Sequence, residues 1–85
     1  MNNELEIFKK KLVYRAGYRG TKEMDILLSS FVNKHIELFN ESQLYELDKF
    51  LNFEDEVILN FYHYNIIENQ VDKNAVSIMF KNFKL

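Results

Sequence analysis

The chain has 85 residues, 47% of them hydrophobic, with eight Phe and five Tyr. That length sets an expectation of one domain spanning 1–85, and a chain of this size buries only ~60% of its unfolded surface, so its core must be well filled. It contains no cysteine, which excludes disulfides, zinc–thiolate centres and cysteine nucleophiles, and no apolar run approaches the roughly 18 residues of a membrane span.

The opening residues, "MNNELEIFKKK", alternate acidic with apolar residues and end in lysines. A secretory signal has the reverse order, and a mitochondrial leader is rich in Arg and Ser and poor in acids. The expectation is therefore a cytoplasmic, bacterial protein with no membrane contact. The net charge of −2 hides an asymmetry. Up to position 22, Lys9, Lys10, Lys11, Arg15, Arg19 and Lys22 stand against Glu4 and Glu6, a balance of +4. The remainder carries five lysines against eleven acids, a balance of −6. Such segregation fits either a patch that faces a partner or one helix with a solvated basic face.

Apolar spacing predicts helices throughout. Leu5, Phe8 and Leu12 predict a first helix from about Glu4 to Arg15. Met24, Leu27, Leu28, Phe31, His35 and Ile36 keep one face of a longer second helix. Leu44, Leu47 and Leu51 give a third, and Phe53, Val57, Ile58 and Phe61 a fourth. Val71, Ala75, Ile78, Met79 and Asn82 trace a fifth, with Phe80 and Phe83 widening its apolar face. No stretch alternates with period two, so the fold class is all-α, a compact bundle of about five short helices.

Helix starts have their own chemistry. Asn40 with Gln43 forms a capping-box pattern, and Thr21 precedes Glu23 and Asp25, acids suited to a helix N-terminus. Asn52 precedes Glu54, Asp55 and Glu56, which read as a solvated helix start rather than an acid–base pair. Gly17 and Gly20 bracket the stretch between the first two helices, where either glycine can take the left-handed conformation that ends a helix.

A tight turn accounts for the glycines and leaves Tyr14, Arg15, Tyr18 and Arg19 unexplained. Tyr14 and Tyr18, like Arg15 and Arg19, are four apart and would share a face if the helix continued. Tyr and Arg are enriched among interface hot spots. The alternative is that Arg19 pairs with Glu23 across the turn, an exposed contact of ~0–1 kcal/mol.

"KLVYRAGYRGTKEMDILLSSFV" resembles the signature of the succinate dehydrogenase FAD assembly factors, the SdhE-like flavinylation factors. That signature has a basic residue, an apolar pair, Tyr or Trp, then R-G-x-x-E-x-D-x-x-L. Lys11, Leu12, Tyr14, Arg19, Gly20, Glu23, Asp25 and Leu28 meet it with unbroken spacing. "FNESQLYELDKFL" looks like the family's acid-rich third helix and "EDEVILNFY" like its fourth. Many members carry Ser and a basic residue where this chain has Ala16 and Gly17, so the basic surface before Arg19 is thinner here.

The resemblance implies a five-helix bundle that binds the flavoprotein subunit of succinate dehydrogenase, and the related fumarate reductase flavoprotein, and promotes covalent attachment of FAD. It implies a chaperone or assembly factor and not an enzyme, with the FAD and the linking histidine belonging to the client and no cofactor or metal of its own. His35 and His63 read as surface or core-edge histidines. Carried over to this chain, Arg19 offers a planar fork and Glu23 accepts hydrogen bonds from the client, while Gly20 lets the two backbones approach closely. Arg15, Tyr14 and Tyr18 flank them, with Tyr14 either a rim or a core residue. Asp25 stabilises the start of the second helix or joins the contact. The free chain is expected to be a monomer. The competing reading is a small helical nucleic-acid-binding or general protein-interaction domain using the basic first helix. The acidic overall charge and the start "TKEMD" of the second helix argue against nucleic acid.

Overall fold

Each of three helices starts where a side chain satisfies an orphan amide. In the computed structural model, which describes residues 3–64, 71 and 73–85, the helices are α1 (Asn3–Ala16), α2 (Lys22–His35), α3 (Glu41–Leu51), α4 (Asp55–Tyr64) and α5 (Ala75–Asn82), with a 3₁₀ turn at Ile36–Leu38. No strand occurs among the described residues, and none of their helices is long and apolar enough to cross a membrane. Thr21 Oγ1 accepts from Met24 N at 3.2 Å. Asn40 and Gln43 close the reciprocal capping box, at 2.9 and 3.0 Å. Asn74 and Ser77 form a second such box, each bond 2.9 Å long. A glutamate on α3, Glu46, also accepts from Val76 N at 3.3 Å, placing negative charge at the start of α5 as the helix dipole favours.

The core is built around Phe31, which is wholly buried on α2. Its ring meets those of Phe80 and Phe83 edge-on, with centroids 5.2 and 5.4 Å away, the arrangement that opposes a positive ring edge to a negative face. Phe50 extends the cluster to Phe80 and Phe61, and Leu12 and Ala16 bring α1 into it. His35 lies at the edge of this cluster, its Nδ1 2.9 Å from the Phe31 carbonyl. Because a carbonyl only accepts, that contact fixes the proton on Nδ1. Lys81 ties α5 to α4 by donating to the Phe61 carbonyl at 2.7 Å.

Two helices depart from expectation. The spacing predicts Val71, Ala75, Ile78, Met79 and Asn82 as the inner face of the fifth helix. In the structure the Asn74 cap starts α5 at Ala75, so Val71 is buried outside the helix. The buried face is Val76, Ser77 and Phe80, with Phe83 at the C-cap, while Ile78 is half exposed. Apolar residues surround this eight-residue helix, so spacing alone does not choose a face. Burying two phenylalanines rather than one isoleucine does. For the fourth helix, Asn52 is not the start signal: it is the C-cap of α3, and its backbone N–H donates to Lys49 and Phe50 carbonyls.

Candidate functional site

The corner between α1 and α2 is drawn onto the connection between α3 and α4. Helix α1 ends at Ala16, and Gly17 N donates back to the Val13 and Tyr14 carbonyls at 3.3 and 3.1 Å. Neither glycine lies in the left-handed region, which corrects the expectation that one supplies a left-handed residue. Close approach accounts for both. A Cβ at Gly17 would lie 3.2 Å from Ser29 Oγ, and a Cβ at Gly20 would lie 3.0 Å from Asp55 Oδ2.

Arg19 has a side chain only 10% exposed, and its fork is filled from within the chain. Nε donates to Asp55 Oδ1 at 2.7 Å, Nη1 to the Leu51 carbonyl at 2.8 Å and Nη2 to the Phe53 carbonyl at 2.7 Å. A carboxylate and two carbonyls are the acceptors that a planar guanidinium suits, and here they belong to the same molecule. Its partner is Asp55, not Glu23. Asp55 is thereby held rather than solvated, which corrects the reading of the "EDE" run, and its Oδ2 also accepts from Gly20 N at 2.7 Å. Asp25, on the first turn of α2, accepts from Arg19 N. Two successive amides of the corner therefore each end on a carboxylate. Arg15 joins the same region: Nη1 pairs with Asp48 Oδ1, and Nη2 donates to Asn52 Oδ1 at 2.6 Å and to the Asp48 carbonyl at 3.2 Å.

The remaining residues of the corner face outward. Tyr14 and Tyr18 are 62% and 72% exposed and stack on each other with centroids 4.5 Å apart. Tyr14 is a surface residue, not part of the core. A side-chain hydrogen bond to Tyr18, reinforced by the charge that Tyr18 would carry, raises the Tyr14 pKa above its ordinary value, so Tyr14 stays neutral at physiological pH. The Glu23 side chain is 69% exposed, with His63 Nε2 4.0 Å from its Oε1. Beside the corner, Ile7, Lys10, Lys11, Tyr14 and Arg15 line a shallow groove on α1.

Tyr14 and Tyr18 meet although the helix stops at Ala16, whereas Arg15 and Arg19 go to different acids, Asp48 and Asp55, which with Asn52 the sequence did not point to. Asp48 and Asn52, four apart at the end of α3, both take Arg15, while Arg19 reaches Asp55 at the start of α4. The charge asymmetry is in part this same internal pairing, to which Lys9 adds a contact with Glu37 at 3.5 Å. Lys10, Lys11 and Lys22 remain exposed.

The family Sdh5, described as flavinator of succinate dehydrogenase, matches residues 10–84. Relatives include succinate dehydrogenase assembly factor 2-B, mitochondrial, of Drosophila simulans, 48% identical over 48 residues, which are 56% of this chain and 31% of that protein. Assembly factor 2-A, mitochondrial, of Drosophila willistoni is 45% identical over 51 residues, 60% of this chain and 32% of its own length. Assembly factor 2, mitochondrial, of Meyerozyma guilliermondii is 44% identical over 50 residues, 59% of this chain and 37% of its own. The chain thus spans about a third of the length of these relatives. No solved structure matches it. The relatives are eukaryotic and named mitochondrial, which overturns the expectation of a bacterial cytoplasm. That expectation rested on reading the first eleven residues as neither a secretory signal nor a mitochondrial leader.

Proposed function

The chain belongs to the Sdh5 family, the flavinators of succinate dehydrogenase, and on that premise we propose that it binds the flavoprotein subunit of succinate dehydrogenase and promotes covalent attachment of FAD to it. The related fumarate reductase flavoprotein is a second client. The observation that carries this reading is the R-G-x-x-E corner itself, held from within by Asp25 and Asp55 and exposing Glu23, Tyr14 and Tyr18.

Attachment requires a histidine nitrogen and a flavin carbon of the client to be held in line at near-contact distance, and orientation supplies much of such a barrier. A binder that favours the competent conformation of its client can therefore promote the reaction with no catalytic group and no FAD of its own. Glu23 accepts hydrogen bonds from the client, the stacked tyrosines supply rigid contact area, and Gly20 keeps the corner low. Arg15, Arg19 and Asp25 act one step back, by holding the corner's shape. The nucleic-acid reading loses ground because Lys9, Arg15 and Arg19 already face acids of this chain.

Titration of the chain onto the isolated flavoprotein subunit tests this. Glu23→Ala and Tyr18→Ala should each weaken binding about tenfold or more, as hot-spot truncations do. Both residues are exposed, so the folding stability of either variant should stay within ~0.5 kcal/mol of native. Equal affinity for native chain and both variants would remove the corner from the interface. A steep linear fall of affinity for DNA or RNA with log salt, at an affinity above that for the flavoprotein, would favour the other reading.

A further inference from the structure

We infer that Asp55 is the positioning residue of the corner, and that Asp55, and not only the client, disfavours a side chain at position 20. Its two carboxylate oxygens do different things: Oδ1 takes Arg19 Nε and Oδ2 takes Gly20 N, each at 2.7 Å. A methyl group at position 20 would lie 3.0 Å from Oδ2, tight enough that the carboxylate would have to give by a few tenths of an ångström. The carboxylate has little room to retreat. Its other oxygen is held by Arg19, whose two remaining nitrogens are fixed to the Leu51 and Phe53 carbonyls. Asp55 also stands in the first turn of α4, so its backbone is set by the helix.

Arg19, Gly20 and Asp55 thus form one closed unit in which the absence of a side chain at 20 leaves room for the Asp55–amide bond. A solvated acidic helix start would leave Asp55 in water; here its side chain is 24% exposed. The functional consequence rests on the assembly role proposed above: a corner whose shape is fixed before binding loses less freedom when the client docks. Removing Asp55 therefore weakens client binding without touching a residue that the client meets.

The test is a double-mutant cycle on the chain alone, followed by client titration. Gly20→Ala should lower the thermal midpoint by about 5 °C. Added to Asp55→Ala, the same change should lower it by less than ~1 °C, because the opposing oxygen is gone. An equal drop in both backgrounds overturns the inference. Asp55→Asn preserves the side chain's shape and covers the case in which Asp55→Ala does not fold. In its ¹⁵N-correlated spectrum the Gly20 amide and Arg19 Nε–H signals should both move while core signals stay; unmoved signals overturn the inference. For the client, affinity should fall in the order native, Asp55→Asn, Asp55→Ala, and no fall in folded variants overturns the positioning role. If client binding ignores Glu23→Ala as well, the assembly reading fails while the coupling between positions 20 and 55 still stands on the thermal and spectral data.

Discussion

Arg19→Ala should destabilise the chain by about 3 kcal/mol, a fall of roughly 15 °C in the midpoint followed by circular dichroism. The side chains of Arg19 and Asp55 are only 10% and 24% exposed, so their pairing is little screened by water. Truncation leaves the Leu51 and Phe53 carbonyls without this donor and strands Asp55 beside a helix start. An unmet acceptor away from water costs more than the bond it formerly made contributes. Arg19→Lys should recover at most a third of the loss, because an ammonium on a flexible stem cannot reach three acceptors in one plane. Arg15→Ala serves as the comparison. Its ion pair is 33% and 36% exposed, so its loss should lie within about 1 kcal/mol. Equal losses at the two positions would mean that the Arg19 clamp contributes no more than a surface pair.

Phe31→Ala should cost about 4 kcal/mol, measured as the shift in urea midpoint. Phe31 has no solvent exposure and touches four rings, those of His35, Phe39, Phe80 and Phe83. No single neighbour can move to fill the space, since those rings come from the end of α2, the turn after it and α5. A domain this small has a total stability of roughly 5–15 kcal/mol, so the variant sits near the limit of folding. Phe31→Leu should cost about half as much because it keeps part of the volume. Phe8, only partly buried against the core, should lose about 1–2 kcal/mol when truncated to Ala. A Phe31→Ala loss no larger than that of Phe8→Ala would contradict a core centred on α2.

Helices α1 to α4 were legible because each carries a regular apolar stripe, and Thr21 and Asn40 mark their starts with residues whose side chains serve the backbone locally. The fifth was legible as a helix but not in its orientation. Its face is chosen by the Phe80 and Phe83 contacts with Phe31, which no spacing rule contains, and by the Asn74–Ser77 cap that starts the helix at Ala75 and leaves Val71 outside it. The corner shows the same division. Its location and residue types are visible in "YRAGYRGTKE", because glycines, aromatics and arginines cluster there. Which of them point outward is not visible. Arg15 and Arg19 find their acids 33 and 36 residues further along the chain, and periodicity along one helix says nothing about contacts at that separation. What remains outside after those pairings, Glu23 with the two tyrosines, is therefore a property of the fold.

As proposed, this corner is a working surface for flavin attachment. The direct measurement is flavin fluorescence of the denatured succinate dehydrogenase flavoprotein, co-expressed with the native chain, with a Gly20→Arg variant shown by circular dichroism to be folded, or with neither. Denaturation removes unattached FAD, so only the covalent product is seen. The signal should rise with the native chain and return to the level of the chain-free control with the variant. A signal that is the same with and without the native chain, under conditions where attachment is otherwise poor, would contradict the proposed function.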